Sequence, residues 1–585
     1  MNIILALSSW LALSYLYSSK LRFNIYETWV VSLSTLIIIS FFITLIINLE
    51  VVIYIKYLLI LLGATEYYKN LHRKDDSTKG LILVGVLFIF LSYLITRHEA
   101  YSYVFNWDDF SHWARSVKLL VLDNGYGETY FSSIIAASYA PATNTWHAFF
   151  QHSSSFEEST LYFTQMIWII SLLLCIYGVL LQYVVGLFQK VMSLIVLIGL
   201  GNTLTPYGHN LMVDVFIGLG FAATYLIYNY SNHPLLQKII SSSIILFTVV
   251  LTKQVGLVVA LQFSMINLMI NGFKRKEIFS NAVILILSSI GMIVWLLFVI
   301  PFNEAAYIVN EQRDGFLQVI MWQSRVFYDF FVIKLFVFND IEKSHIVIYG
   351  SLLYSLAIYI NNKSIKLFKI VFIALSSYII FLLLAYVLRF GADHLESTTL
   401  DSMNRYVSTQ FYFLIPLMLI ETLKLQREKA GYFLILLAFL PLSYYFTKLF
   451  TIFPIIVIVA LVLPKYPLMI ASKKIVAALV LFSTVSLYYS YDIILRKITP
   501  SAEYIKDAER VKSIGKSLLE YGDGKTIVVW DGYDTKSRMG VEYYSDYQYP
   551  DYKVISTDEY NSKILTNDYK APNYKRQLFF NNEEN

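Results

Sequence analysis

"LILVGVLFIFLSYLITRHEAYSYVFNWDDFSHWARSVKLL", residues 81–120, changes character halfway along. The first half belongs to an apolar run, 80–97, long enough to cross the hydrocarbon layer of a bilayer as a helix. The second half sets Asp108, Asp109, His112, Arg115 and Lys118 around Trp107, Phe110 and Trp113. A dense polar segment directly after a span marks where the chain leaves the membrane.

The rest of the chain repeats the first half many times. Of 585 residues, 57% are hydrophobic and 15% charged, against about one quarter charged in a soluble domain. Apolar runs are read at 3–19, 28–48, 50–65, 80–97, 160–186, 191–205, 211–229, 238–252, 255–271, 281–301, 346–361, 369–389, 406–424, 431–448, 450–464 and 474–491. Backbone groups in lipid must bond internally, so these runs predict an all-α polytopic membrane protein of about 13–16 transmembrane helices. The net charge of +5 comes from Lys and Arg in short loops and does not describe a nucleic-acid surface. The single cysteine, Cys175, excludes an internal disulfide. The first run lacks a basic leader and a small-residue cleavage site, so it is read as a first spanning helix.

Basic residues collect at Lys20/Arg22, Lys69/Arg73/Lys74/Lys79, Lys274/Arg275/Lys276, Lys363/Lys366, Lys424/Arg427/Lys429 and Lys465/Lys473/Lys474. Alternate crossing puts all of them on one face, which the positive-inside rule makes cytoplasmic. The opposite, outward face then receives the 98–159 loop, the 302–328 and 390–405 loops, the "TPYGHNLMVD" stretch, the "LTKQVG" turn and the tail. In the tail, 501–524 suits an amphipathic helix, 525–532 and 552–557 read as strands, and 576–585 as a frayed end. A small C-terminal α/β extracytoplasmic module is expected.

Two readings fit the segment at 106–121. Phe110, Trp113, Val117, Leu120 and Val121 share one helical face, with Asp109, His112, Arg115 and Lys118 on the others. An interfacial helix capped by Asp108 or Asp109 would use these residues, although a cap needs one acid, not two. The other reading is a catalytic carboxylate pair on the outward loop.

Asn-Trp-Asp-Asp-Phe-Ser-His-Trp (106–113) resembles the acidic signature of bacterial GT-C glycosyltransferases, in particular a group carrying Trp-Asp-Glu-Phe-Ser-His-Trp at this place. Further elements follow in the same order. "SYAPATNTWHAFFQ" (138–151) is similar to a Tyr-Pro-Pro-Gly-Thr stretch, "VDVFIGL" (213–219) to a Val-Asp element, "LTKQVGL" (251–257) to Thr-Lys-Gln-x-Gly, and "LDSMNRYV" (400–407) to Ser-x-x-Arg-Tyr. The chain departs from that pattern in Asp109, where relatives often have Glu, in lacking the second Pro and the Gly of the second element, and in three spans that precede the motif. The resemblance implies N-terminal additional helices over 1–79, a GT-C-like catalytic core over 80–424, C-terminal transmembrane helices over 425–491 and an α/β tail over 492–585.

It also implies an activity: transfer of a sugar from a polyprenyl-phosphate-linked donor to a cell-envelope glycan or glycolipid, on the outer face of a bacterial inner membrane. Such a transfer needs a carboxylate base at the acceptor hydroxyl and cations on the departing phosphate. Asp108 is the expected base. Asp109 would orient it, bind the acceptor or hold a divalent cation if one is required. Arg405 and Lys253 are the phosphate candidates, with Gln254, Tyr406, Asp214 and His112 as further substrate-binding residues. Plainer roles compete at each position. Lys253 would snorkel at a helix end, Asp214 would cap a helix, Arg405 would pair with Asp401 or Glu396, and His112 would sit on a polar face. No metal-ligand spacing is seen, since His147 and His152 are wrongly placed for one helical face. An O-antigen-type polymerase or ligase is the alternative, although such enzymes rely on loop arginines late in the chain. A flippase of lipid-linked glycans would show repeats and mid-span polar residues.

Overall fold

The computed structural model describes residues 2–70, 112–127, 140–151, 156–184, 213–299, 342–388 and 403–425, three short strands in the tail, and isolated residues between these segments. Asp108 and Asp109, the span at 80–97 apart from Gly85 and Ile89, the spans at 450–464 and 474–491, and the tail helix lie outside the described residues.

The described chain is almost entirely helical. It runs through α1 (Asn2–Leu21), α2 (Ile25–Ile46), α3 (Val51–Asn70), α4 (Ala114–Leu122), α5 (Ala142–Phe150), α6 (Glu158–Leu180) and α7 (Asp214–Tyr230). It continues through α8 (Leu235–Val250), α9 (Val255–Asn271), α10 (Arg275–Val299), α11 (Lys343–Asn362), α12 (Lys366–Leu388) and α13 (Met403–Leu423). Among the described residues, seven helices are long and apolar enough to cross a membrane: α2, α3, α6, α10, α11, α12 and α13. On α10, Ile286, Ile290, Ile293 and Leu297 form one exposed helical stripe. In water such a stripe would be a liability; in a bilayer it is a lipid-facing side.

Five helix starts precede the apolar runs by the same interval. α2, α8, α11, α12 and α13 begin at residues 25, 235, 343, 366 and 403, three positions before the runs read at 28, 238, 346, 369 and 406. The first turns carry Glu27, Lys343, Lys366 and Arg405, which lower the local hydropathy. The backbone helix continues regardless, because first-turn N–H groups have no intrahelical partner and tolerate polar company.

α7 sits at the centre, packed by α6, α8, α9 and α13. All its residues except Asn229 are buried, as expected for a helix without a polar face. Phe221 stacks on Phe413 at 3.9 Å and Phe216 on Trp168 at 4.4 Å. α7 and α13 run parallel: Asp214 meets Arg405 at their first turns, and Tyr230 donates to Glu421 at their last.

α4 buries Trp113, Val117, Leu120 and Val121, leaving His112, Arg115 and Lys118 partly exposed, and packs on α5. α5 is nine residues long and wholly buried. It is held by Trp146 Nε1 on the Thr164 carbonyl (2.8 Å), Tyr126 Oη against Thr145 Oγ1 (2.6 Å) and Asn144 Nδ2 on Tyr130 Oη (2.8 Å). Lys56 of α3 donates to the Phe149 carbonyl at the C-terminal end of α5, where a helix favours a cation. His147 bonds Thr164 Oγ1 at 2.6 Å, and burial pushes its imidazole down to about 3, so it stays neutral.

In the tail, β1 (Ile527–Trp530) pairs in parallel with β2 (Lys553–Ser556) on one side and β3 (Gln577–Phe580) on the other. β1 and β2 fall within the two stretches read as strands. The terminal stretch, expected to fray, contributes β3 instead. "QLFF" has strand composition and supplies β1 with a second neighbour.

Candidate functional site

Three sequence-distant elements converge on Asp214. It is the first residue of α7, and its side chain is only 2% exposed. Lys253 lies two residues before α9 and brings Nζ to 3.4 Å from Asp214 Oδ1. Arg405, the third residue of α13, brings Nε to 3.4 Å from Oδ2. The ring of Tyr406 faces both cations, with Lys253 Nζ 5.0 Å and the Arg405 guanidinium carbon 5.2 Å from its centroid. The side chains of Lys253 and Arg405 keep 14% and 24% of their surface exposed, so the carboxylate is buried and the cations reach the surface.

Both contacts are longer than the roughly 2.7–2.9 Å of a tight charge-assisted hydrogen bond. Asp214 therefore holds the cations by charge, without a two-pronged clamp. Among the described residues, one carboxylate thus faces two positively charged side chains.

The backbone adds to that charge. Asp214, Lys253 and Arg405 each stand in or beside the first turn of a helix. The α5 N-terminus joins them, with Ala142 N–H donating to the Leu251 carbonyl at 2.8 Å. Four helix N-termini, each carrying the partial positive charge of its dipole, thus gather around the Leu251–Gln254 turn. Cations at helix starts suit an anionic ligand.

Two glycines permit the approach. A Cβ at Gly218, one turn below Asp214, would lie 2.4 Å from the Thr409 carbonyl oxygen, one turn below Arg405. A Cβ at Gly256 would lie 2.2 Å from the Val249 carbonyl oxygen and would push the first turn of α9 off the turn that carries Lys253. Deeper between the helices, Gln262 of α9 donates to Ser377 Oγ of α12 at 2.8 Å and accepts from Gln410 of α13 at 3.2 Å.

Of the residues singled out in the sequence, Asp214, Lys253, Arg405 and Tyr406 form one group. Gln254 is the partly exposed residue directly before α9. His112 is on a different element, at the start of α4, where its carbonyl accepts from Ser116 Oγ at 2.7 Å. Asp214, read as a substrate ligand or a helix cap, makes ion pairs with both phosphate candidates. Asp401 and Glu396, the alternative partners of Arg405, lie outside the described residues. Sequence reasoning missed Gly218, Thr409, Asn404 and Glu342. Only the Asn404 position, next to Arg405 in a polar first turn, carried a signal that could have been followed.

At the other end of α7 and α13, roughly 24 Å away by helical rise, Glu421 accepts from Tyr230 Oη and pairs with Lys424 at 3.3 Å and Lys366 at 3.9 Å. These lysines come from the basic loops that face away from the 98–159 loop in the sequence reading. Comparison with protein-family models, curated proteins and solved structures finds no match.

Proposed function

We propose that this chain is an integral-membrane glycosyltransferase of the GT-C type. It moves a sugar from a polyprenyl-phosphate-linked donor to a cell-envelope glycan or glycolipid at the outer face of a bacterial inner membrane. The observation that carries this reading is the meeting of Lys253, Arg405 and Tyr406 around Asp214. These residues come from three of the motif elements that resemble the family, and they make a cationic site at the ends of the helices.

Lys253, a compact charge, and Arg405, a planar fork, bind the donor phosphate; Tyr406 packs against both. Asp108 takes the proton of the acceptor hydroxyl as its oxygen bonds to the anomeric carbon. The bond from that carbon to the phosphate oxygen breaks, and the lipid phosphate leaves with an added negative charge. Lys253, Arg405 and the helix N-termini stabilise that charge as it develops. Asp109 orients Asp108 or the acceptor.

The test is purified protein incubated with extracts containing polyprenyl-phosphate sugars. Wild type should consume one of them in the presence of acceptor. Asp108→Asn should remain folded and lose about 10²–10⁴-fold in rate, with Asp109→Asn less affected. Arg405→Lys should raise the donor Michaelis constant, because the charge stays and the fork is lost. Full activity in both single Asp variants would make the pair a helix cap and remove the assignment.

A further inference from the structure

Arg405 cannot hold its place from its own helix alone. It lies in the first turn of α13, where intrahelical hydrogen bonds are incomplete and a helix frays. The residue before it is tied down from outside. Asn404 Oδ1 accepts from the Ser344 N–H at 3.1 Å, and Asn404 Nδ2 donates to Glu342 Oε2 at 3.1 Å. Both partners belong to the start of α11, about sixty residues earlier in the chain. That start is itself braced, since Glu342 N–H donates to His345 Nδ1 at 3.0 Å. Immediately after it, Ile346–Gly350 form a π-turn. The extra residue in such a turn rotates what precedes it relative to the rest of the helix, a feature frequent at functional sites. On the other side of Arg405, Ser408 Oγ bonds back to the Asn404 carbonyl, closing the same turn.

We infer that Asn404 and Glu342 form a clasp that positions Arg405 for its ligand, by fixing the first turn of α13 to the first turn of α11. Neither residue touches the ligand; both act through Arg405. The inference rests on the reading of Arg405 as a phosphate-binding residue. It makes the start of α11 a mechanical part of the donor site.

The contact has a polarity that an exchange can test. Asn404→Asp sets two carboxylates against each other. The double variant Glu342→Gln/Asn404→Asp restores both bonds: the new carboxylate at position 404 still accepts from Ser344 N–H, and the new amide at position 342 now donates to it. The probe is polyprenyl phosphate itself, which every donor of this class shares, bound to protein in nanodiscs. Asn404→Ala and Asn404→Asp should each weaken binding roughly tenfold, the double variant should recover to within roughly threefold of wild type, and thermal unfolding should show all of them folded. In an Arg405→Ala background, Asn404→Ala should cost nothing further, because its effect passes through Arg405. Wild-type affinity in Asn404→Ala, additivity with Arg405→Ala, or no recovery in the double variant would overturn the clasp. Should wild type bind no polyprenyl phosphate, the functional reading falls. Hydrogen exchange then decides the clasp separately. Amides of 403–408 should lose protection in Asn404→Ala and regain it in the double variant, and unchanged protection would refute it.

Discussion

Asp214 is the residue whose role the structure changes most. A buried carboxylate between two cations is already neutralised, so an incoming anionic ligand gains nothing from it directly. It serves the site by keeping Lys253 and Arg405 together, against their mutual repulsion, before a ligand arrives. Asp214→Asn should therefore reduce stability, on the order of 2–3 kcal/mol for a buried charge network that loses its counter-charge. Affinity for polyprenyl phosphate in the folded fraction should fall by no more than roughly threefold, because the bound phosphate itself supplies the counter-charge that holds the two cations together. Thermal unfolding and binding, measured on the same preparation, separate the two effects. A loss of affinity beyond roughly tenfold with little loss of stability would make Asp214 a ligand-binding residue, as the sequence alone suggests. Lys253 shows the same shift of meaning. A lysine at a helix end is expected to snorkel to the interface, but this one faces Asp214 and the Tyr406 ring.

Elements meet where small residues let them. α7 and α13 share a stacked Phe221–Phe413 pair and touch at Gly218, one turn from the ion pair. Gly218→Val should force the helices apart, cost about 1–3 kcal/mol, and weaken polyprenyl phosphate binding by moving Arg405 and Tyr406 of α13 away from Lys253. Gly291→Ala is the matched control. Its Cβ would lie 2.4 Å from the Phe247 ring, on α10 and away from the charged group. It should lower the melting temperature without changing affinity in the folded protein. Equal effects of the two variants on binding would mean that the site does not depend on the α7–α13 contact. α5 is held with comparable care, although its nine residues would be marginal as an isolated helix. Lys56, Trp146, Tyr126 and Asn144 supply what its length does not.

At the scale of the molecule, polar groups gather at the two ends of the helical bundle. One end holds Asp214, Lys253 and Arg405; the other holds Glu421 with Lys366 and Lys424. The proposed sidedness makes the first end outward. In a Cys175→Ser background, Leu122→Cys, at a half-exposed position on α4, should react with an impermeant thiol reagent in intact cells. Lys274→Cys, in the exposed turn between α9 and α10, should react only after permeabilisation. The reverse pattern would turn the protein over in the membrane and remove an outward donor site.

Membrane class, the helical architecture and most span centres are legible from composition and run length, because a bilayer imposes one condition on every spanning segment. Asp214, Lys253, Arg405 and Tyr406 are likewise legible as candidates, since charged groups are rare in this chain and each stands at the edge of an apolar run. Their partnership is not. Asp214 and Arg405 are almost two hundred positions apart, and no local pattern says which of several cations a carboxylate will meet. Hydropathy misplaces five of the helix starts by most of a turn because it records side chains, while a helix begins where backbone geometry and capping allow. Gly218 and Glu342 have no signature of their own, since a glycine in an apolar helix and a polar residue near a helix start are ordinary locally, and Asn404 shows only its place beside Arg405 in a polar first turn. Their roles exist only through close approach and hydrogen bonds across helices, and those depend on which surfaces pack together in three dimensions.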